Sequence, residues 1–582
     1  MTRWRTFLPW VLLLLGPSVQ AATLPAVEAA NGMVVSAQRL ASEVGVGILK
    51  QGGNAIDAAV AVGYAEAVVN PCCGNIGGGG FMVAHLADGR NVFLNFRETA
   101  PAAATPGMYL DARGNVVRGA SLHGWRAVAV PGTVLGLDTA LTQYGTLPRS
   151  VVMAPAIRLA RRGFVLTRFD TDILRHATAT FRRAPNVARI FLHADGSPLR
   201  PGDRLVQPEL AATLQAIADH GPDAFYRGRI PREAETASRA GGGIITAADF
   251  AAYRVTQSAP LSCTYRGFRF LSAPPPSSGG VTLCEILHVL AGYDMRALGF
   301  HSAAAVHVMV EAMRHAYFDR NTTLGDPAFV TNPVARLLSA KHAAAIRARI
   351  GDRATPSRTL TPGTAAHERT ETTHYSVIDK AGNAVAVTYT INGYFGAGVI
   401  AGDTGFLLND EMDDFTSKPG AANMFGLVQG EANAIAPGKR PLSSMAPTVV
   451  LRHGQVFLVL GSPGGARIIT ITLETALNIL DYGMAPQQAV DAPRFHHQWL
   501  PDEIFAEPYA LSPDTQALLR AMGYRIVEQA PWGAVALIEV GPPHATGEGA
   551  AASGSDAAGA LRPGFYYGAN DARRPAGAAI GY

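Results

Sequence analysis

A layered fold of helices and strands, α+β in class, with a scissile connection inside it, is what this sequence predicts. Three observations lead there. The first part of the chain, up to about residue 350, reads as mostly helical, and the part after residue 372 reads as strands with turns between them. Between them, residues 361–370 are polar, with proline and glycine, and predict an exposed linker. Apolar residues make up 48% and charged residues 16%, enough core for most of the chain to fold. A length of 582 residues allows two to four domains or one large intertwined unit.

The elements follow in order. Arg3 and Arg5, an apolar run over residues 7–15 and the small residues Val19 and Ala21 predict a signal peptide of residues 1–21. The apolar run is too short for a membrane-spanning helix, although an uncleaved anchor is the alternative. The expected mature protein is periplasmic or secreted, with no membrane partner once the signal is removed. A short strand at Val34 leads into a helix over residues 41–49. Gly52-Gly53-Asn54 interrupts it, and an alanine-rich helix resumes over residues 55–69. The four glycines Gly77 to Gly80 enter an apolar strand, which predicts a close approach of backbone or a sharp turn. Residues 91–96 alternate as a strand that ends at Arg97-Glu98-Thr99-Ala100-Pro101. Residues 150–350 read as mainly helical, with a loop at Pro274 to Gly280. Beyond the linker, strands are expected over residues 373–377, 384–390, 406–408, 448–451 and 456–460. A helix is expected over residues 468–482, and a Gly/Ala/Ser-rich loop over residues 546–563.

Composition removes several function classes. Forty-nine basic against 45 acidic residues give a net charge of +4, too small to argue for nucleic acid. The tetraglycine lacks dinucleotide-site spacing and precedes a strand, not a helix. His367-Glu368 is not followed by a second histidine at metalloprotease spacing, so no metal and no cofactor are expected. Export permits disulfides among Cys72, Cys73, Cys263 and Cys284, but spacing does not choose a pairing. A Cys72–Cys73 bond is expected to be strained, and mostly buried thiols are an equal alternative.

The junction Glu371-Thr372-Thr373-His374 carries the chemistry. If the Thr372 hydroxyl attacks the Glu371 carbonyl, an N-to-O acyl shift gives an ester, whose hydrolysis frees the Thr372 amine. That α-amine has a reference pKa of about 7.7–8.0, suited to serve the hydroxyl as its base.

Residues 372–396, TTHYSVIDKAGNAVAVTYTINGYFG, closely resemble the start of the small subunit in the γ-glutamyltranspeptidase family. His374, Ser376, Gly382, Asn383, Val385, Thr388, Thr390, Asn392, Phe395 and Gly396 carry the likeness. Gly52 to Ala59, the tetraglycine, Arg97 to Pro101, Glu411 to Phe415, Pro441 to Met445, Gly461 to Gly465 and Gly568 to Arg574 extend it from about residue 32 to the end. The resemblance implies a four-layer αββα sandwich of the N-terminal nucleophile hydrolase type. It implies a large subunit of residues 22–371 and a small subunit of residues 372–582, the two fragments forming a heterodimer.

It also implies roles. Thr372 would attack the γ-carbonyl and Thr390 would orient it. The Gly464 and Gly465 N–H groups would form the oxyanion hole. Arg97, with Ser443 and Ser444, would hold the substrate α-carboxylate, and Asn392, Glu411 and Asp414 the α-ammonium. Arg97 is expected on the opposite side of the pocket from Asp414. Residues 419–430 match a lid loop, with Phe425 where tyrosine is typical, so a looser closure is expected. The implied reaction transfers the γ-glutamyl group of glutathione and related compounds to water, amino acids or peptides. A glutaryl-cephalosporin acylase or capsule poly-γ-glutamate enzyme of the same family, and a silent glutathione-binding protein, are the rivals. A glutaryl group, lacking the ammonium, would leave Glu411 and Asp414 facing nothing positive.

Overall fold

The computed structural model describes residues 23–359, 372–542 and 561–582. The signal segment, the linker with Glu371, His367-Glu368 and most of the 546–563 loop lie outside the described residues.

Two seven-stranded sheets form the centre. One runs, edge to edge, Val27–Ala29, Tyr566–Asn570, Ala536–Val540, Gln455–Leu460, Thr448–Arg452, Phe268–Ser272 and Leu261–Tyr265. The other runs Ala578–Gly581, Gly32–Ser36, Thr373–Asp379, Ala384–Thr390, Gly79–His85, Asn91–Asn95 and Thr256–Ser258. Alternation along the strands sends side chains to two different layers. Val83, Ile378, Ala386, Val449, Val459 and Ile538 meet between the sheets. Tyr375, Val377, Val385 and Val387 face outward, onto Val60, Val62 and Ala65 of the Ala55–Val69 helix. On the far side, Phe270, Val450 and Leu458 pack beneath Leu283 and Leu287 of the Gly279–Leu290 helix and Leu473 of Ile468–Leu480. Three apolar interfaces separate four layers, as the αββα expectation requires.

Local chemistry explains several boundaries. Gly52, at φ +91°, follows the Arg39–Lys50 helix. Asn54 then caps the next helix by accepting from the Ile56 and Asp57 N–H groups, and Asp57 reaches back to the Asn54 N–H. The tetraglycine is required by close approach: a Cβ on Gly78 would lie 1.8 Å from the Thr390 carbonyl oxygen.

Two expectations need correction, and the cysteine pairing is decided. Residues 256–272 are strands inside the stretch read as helical; Leu261–Tyr265 and Phe268–Ser272 form a hairpin whose turn, Arg266-Gly267, has φ of 47° and 83°. Residues 406–408 make isolated bridges, Gly77 with Leu408 and Ile400 with Leu407, and not a strand. All four cysteines are paired, Cys72 with Cys73 and Cys263 with Cys284, the second joining a sheet strand to the helix above it.

Candidate active site

Strand register builds the site. Thr373 pairs with Tyr389, and Thr390 pairs with Gly79 on the next strand. Thr372, immediately before its strand, therefore stands opposite Thr390. Both line a cavity of about 290 Å³. The same cavity is lined by Arg97, Asn392, Glu411, Asp414, Ser443, Ser444 and Gly465. Nine of the ten residues singled out from sequence thus converge. Gly464 is buried directly behind, and its carbonyl accepts from the Arg467 N–H at 3.0 Å.

Gly464 and Gly465 have φ of 148° and 54°, which side chains disfavour. They lead into the Ile468–Leu480 helix, whose N-terminal N–H groups lack intrahelical acceptors. A Cβ on Gly465 would fall 2.5 Å from the Phe425 ring. Phe425 is 4% exposed. The lid is held by Gln498 Nε2 donating to the Phe425 carbonyl at 3.0 Å and by the Met424 N–H donating to Asp413 at 2.9 Å. A phenyl ring lacks a tyrosine's hydroxyl, and it is held by packing against Gly465.

His374, a fixed point of the sequence signature, has a supporting place. Its ring hydrogen-bonds Thr388 Oγ1 at 2.8 Å, and burial pushes it down to about 3, so it stays neutral. Its ring lies where a Cβ on Gly461 would be, which seats the 461–465 turn on the Thr373–Asp379 strand.

The charged residues correct one expectation. Glu411 and Asp414 share one 3-10 turn, Glu411–Asp414, and both aim at one point. That point is Arg97 itself. One guanidinium arm pairs with Glu411, the other with Asp414, and Nε donates to the Pro441 carbonyl at 3.2 Å. Arg97 and Asp414 therefore sit together and not on opposite sides. The reason is burial: Arg97 is 0% exposed, and an unpaired guanidinium there would be costly. Burial works to lower its pKa, but Glu411, Asp414 and Glu98 outweigh it and keep Arg97 charged.

Two residues with no role assigned from sequence belong to the cluster. Glu98 lies 3.5 Å from Arg97, and burial pushes its carboxyl up to about 7. Neither of its oxygens has a hydrogen-bond partner among the described residues. Arg320, 1% exposed on the Ala303–Thr323 helix, also lines the cavity. The signal for Arg320 was weak, since only the missing polar face of that helix hints at inward-pointing charge.

A family profile described as Gamma-glutamyltranspeptidase matches residues 41–578. A glutathione hydrolase proenzyme of Pseudomonas sp. (strain A14) is 55% identical over 567 residues, covering 97% of this chain and 96% of that protein. The crystal structure of a cephalosporin acylase from Bacillus halodurans superposes with a TM-score of 0.81 at 26% identity, over 98% of this chain and 99% of that one. The crystal structure of Helicobacter pylori γ-glutamyltranspeptidase matches with a TM-score of 0.56 at 42% identity, over 60% of this chain and 97% of that one.

Proposed function

The chain belongs to the γ-glutamyltranspeptidase family, and from that premise we propose that it is an autoprocessed γ-glutamyl amide hydrolase and transpeptidase acting on glutathione and related compounds. The observation that carries this reading is one cavity uniting Thr372, Thr390 and Gly465 with the charged groups that a zwitterionic glutamyl head requires.

Maturation comes first. Thr372 attacks the Glu371 carbonyl, and hydrolysis of the resulting ester leaves residues 22–371 and 372–582 as the two partners of a heterodimer. In support, the Helicobacter pylori chain corresponds to 60% of this one, the share that residues 22–371 make up. The freed Thr372 amine takes the hydroxyl proton, and the hydroxyl attacks the substrate γ-carbonyl. Thr390 orients it from the facing strand. The 464–465 turn supplies N–H groups to the oxyanion, typically worth about 10²–10³ in kcat for each donor. The amide nitrogen leaves with a proton, and water or an amino acid or peptide acceptor attacks the ester. Asn392 and the Glu411–Asp414 turn take the α-ammonium; Ser443, Ser444 and Arg97 take the α-carboxylate. No helix among the described residues is long and apolar enough to cross a membrane. The reading of residues 1–21 as a signal peptide is what supports export to the periplasm or medium.

The likeness to a cephalosporin acylase raises glutaryl amides as the second reading. Glu411 and Asp414 are not left facing nothing positive, because Arg97 meets both. An ammonium still suits the site: burial pushes Glu98, Glu411 and Asp414 toward their neutral forms, and a cation beside them would favour the charged ones. Purified protein incubated with glutathione should release glutamate and cysteinylglycine, and glycylglycine should divert glutamate into a γ-glutamyl tripeptide. Turnover of glutaryl amides with none of glutathione would reverse the assignment.

A further inference from the structure

Two guanidiniums line the cavity, and their partners differ in kind. Arg97 is matched by carboxylates on both arms, with Glu98 at 3.5 Å behind. Arg320 meets neutral oxygens. Its Nε donates to Ser278 Oγ at 2.8 Å, its Nη1 to Asn321 Oδ1 at 2.7 Å and Gln429 Oε1 at 3.3 Å, and its Nη2 to Ser444 Oγ at 2.8 Å. Burial pushes Arg320 down to about 10, which leaves it charged at neutral pH. The charge of Arg97 is offset by the carboxyls on its two arms, whereas Arg320 carries its charge in a cage of neutral hydrogen-bond acceptors.

The direction of the Ser444 bond matters. A guanidinium donates and cannot accept. Ser444 therefore uses its oxygen toward Arg320 and keeps its proton to donate elsewhere, at the cavity wall. A hydroxyl that accepts from a cation is also polarised into a stronger donor. The rest of the cage holds this arrangement still: Ser278, which accepts from Arg320 Nε, gives its own proton to the Ser443 carbonyl at 2.6 Å. Gln429 of the lid segment accepts from Arg320 and donates to the Asp414 carbonyl at 3.1 Å.

We propose that Arg320 is a positioning residue for the substrate α-carboxylate, acting through Ser444: it turns the Ser444 proton into the cavity and supplies the positive charge behind it. The inference rests on the γ-glutamyl reading and assigns the carboxylate end to the Ser444–Arg320 side, leaving the ammonium to the Glu411–Asp414 side.

The test compares γ-glutamyl-p-nitroanilide with 4-aminobutyryl-p-nitroanilide, which lacks the α-carboxylate, as a ratio of kcat/KM on fully processed enzyme. Arg320→Gln should lower that ratio by about 10- to 100-fold, mostly through KM for the γ-glutamyl anilide, the loss expected for a hydrogen bond to a charged group. Ser444→Ala should lower it similarly, and the two changes together should do little more than either. Where Arg320→Gln does not mature, Arg320→Lys decides: it should lower the ratio with Ser444 present and leave it unchanged in a Ser444→Ala background. Equal losses on both anilides, or additive effects of the two positions, would overturn the assignment. Wild-type protein that cleaved neither anilide would remove the γ-glutamyl reading itself.

Discussion

At the level of single residues, the buried charge cluster is expected to govern what the cavity accepts. Arg97 spans Glu411 and Asp414 with its two arms while Nε holds the Pro441 carbonyl. A lysine keeps the charge but cannot make three divergent bonds. Arg97→Lys should therefore raise KM for a γ-glutamyl anilide by about tenfold or more and change kcat less, as expected when an interaction is made equally in ground and transition states. Steady-state kinetics with an unchanged KM would contradict this role. The acidic pair Glu411 and Asp414 sets the second expectation. γ-Glutamyl anilides should exceed the matching glutaryl anilides in kcat/KM by roughly 10-fold or more, the worth of a hydrogen-bonded charge. Asp414→Asn should narrow that gap, because it removes one of the charges that the glutaryl methylene fails to meet. A gap that stayed as wide in Asp414→Asn would place the ammonium elsewhere.

At the level of elements, the loop carrying Phe425 and the 464–465 turn pack against each other. A Cβ on Gly465 would meet the Phe425 ring, and φ there is 54°. Gly465→Ala should lower kcat by about 100-fold, as for loss of an oxyanion donor. Removing the ring as well, in Gly465→Ala/Phe425→Ala, should restore part of it. A double variant no faster than the single one would show that the ring does not set the turn. Much of this site was legible in sequence, because motif residues keep their meaning wherever the chain places them. Thr372, Thr390 and the Glu411–Asp414 turn converge as expected, and the tetraglycine makes the close approach its composition demanded. Other features depend on packing and left little trace. The Leu261–Tyr265 and Phe268–Ser272 hairpin sits between helices and is only five residues a side. Arg320 lies on a helix buried nearly all round, where no polar stripe marks its direction. The direct meeting of Arg97 with Asp414 follows from burial of both, which a linear pattern does not display.

Across the whole molecule, the four layers bury ionisable groups far from the cavity, and these set the pH response of stability. Glu539, on the Ala536–Val540 strand, is 6% exposed, and its Oε2 has no hydrogen-bond partner among the described residues. Burial pushes its carboxyl up to about 8. A carboxyl raised on folding binds its proton more tightly in the folded state. Its contribution is full below the ordinary carboxylate range and is lost as pH rises through about 8. Glu539→Gln should therefore be more stable than wild type at about pH 9, by up to about 5 kcal/mol, and not at about pH 4, which thermal unfolding at the two values reads directly. An equal offset at both values would contradict the buried proton. The same layering places Thr372 at the start of a central strand, opposite Thr390, where a new N-terminus would have to form. The most direct test is therefore to sequence the N-terminus of the smaller fragment of purified protein and to weigh that fragment after a brief exposure to a γ-glutamyl donor. The expected fragment begins at Thr372 and gains the mass of one γ-glutamyl group, while Thr372→Ala stays a single chain. A fragment with any other first residue, or a Thr372→Ala protein that still splits and turns over glutathione, would contradict it.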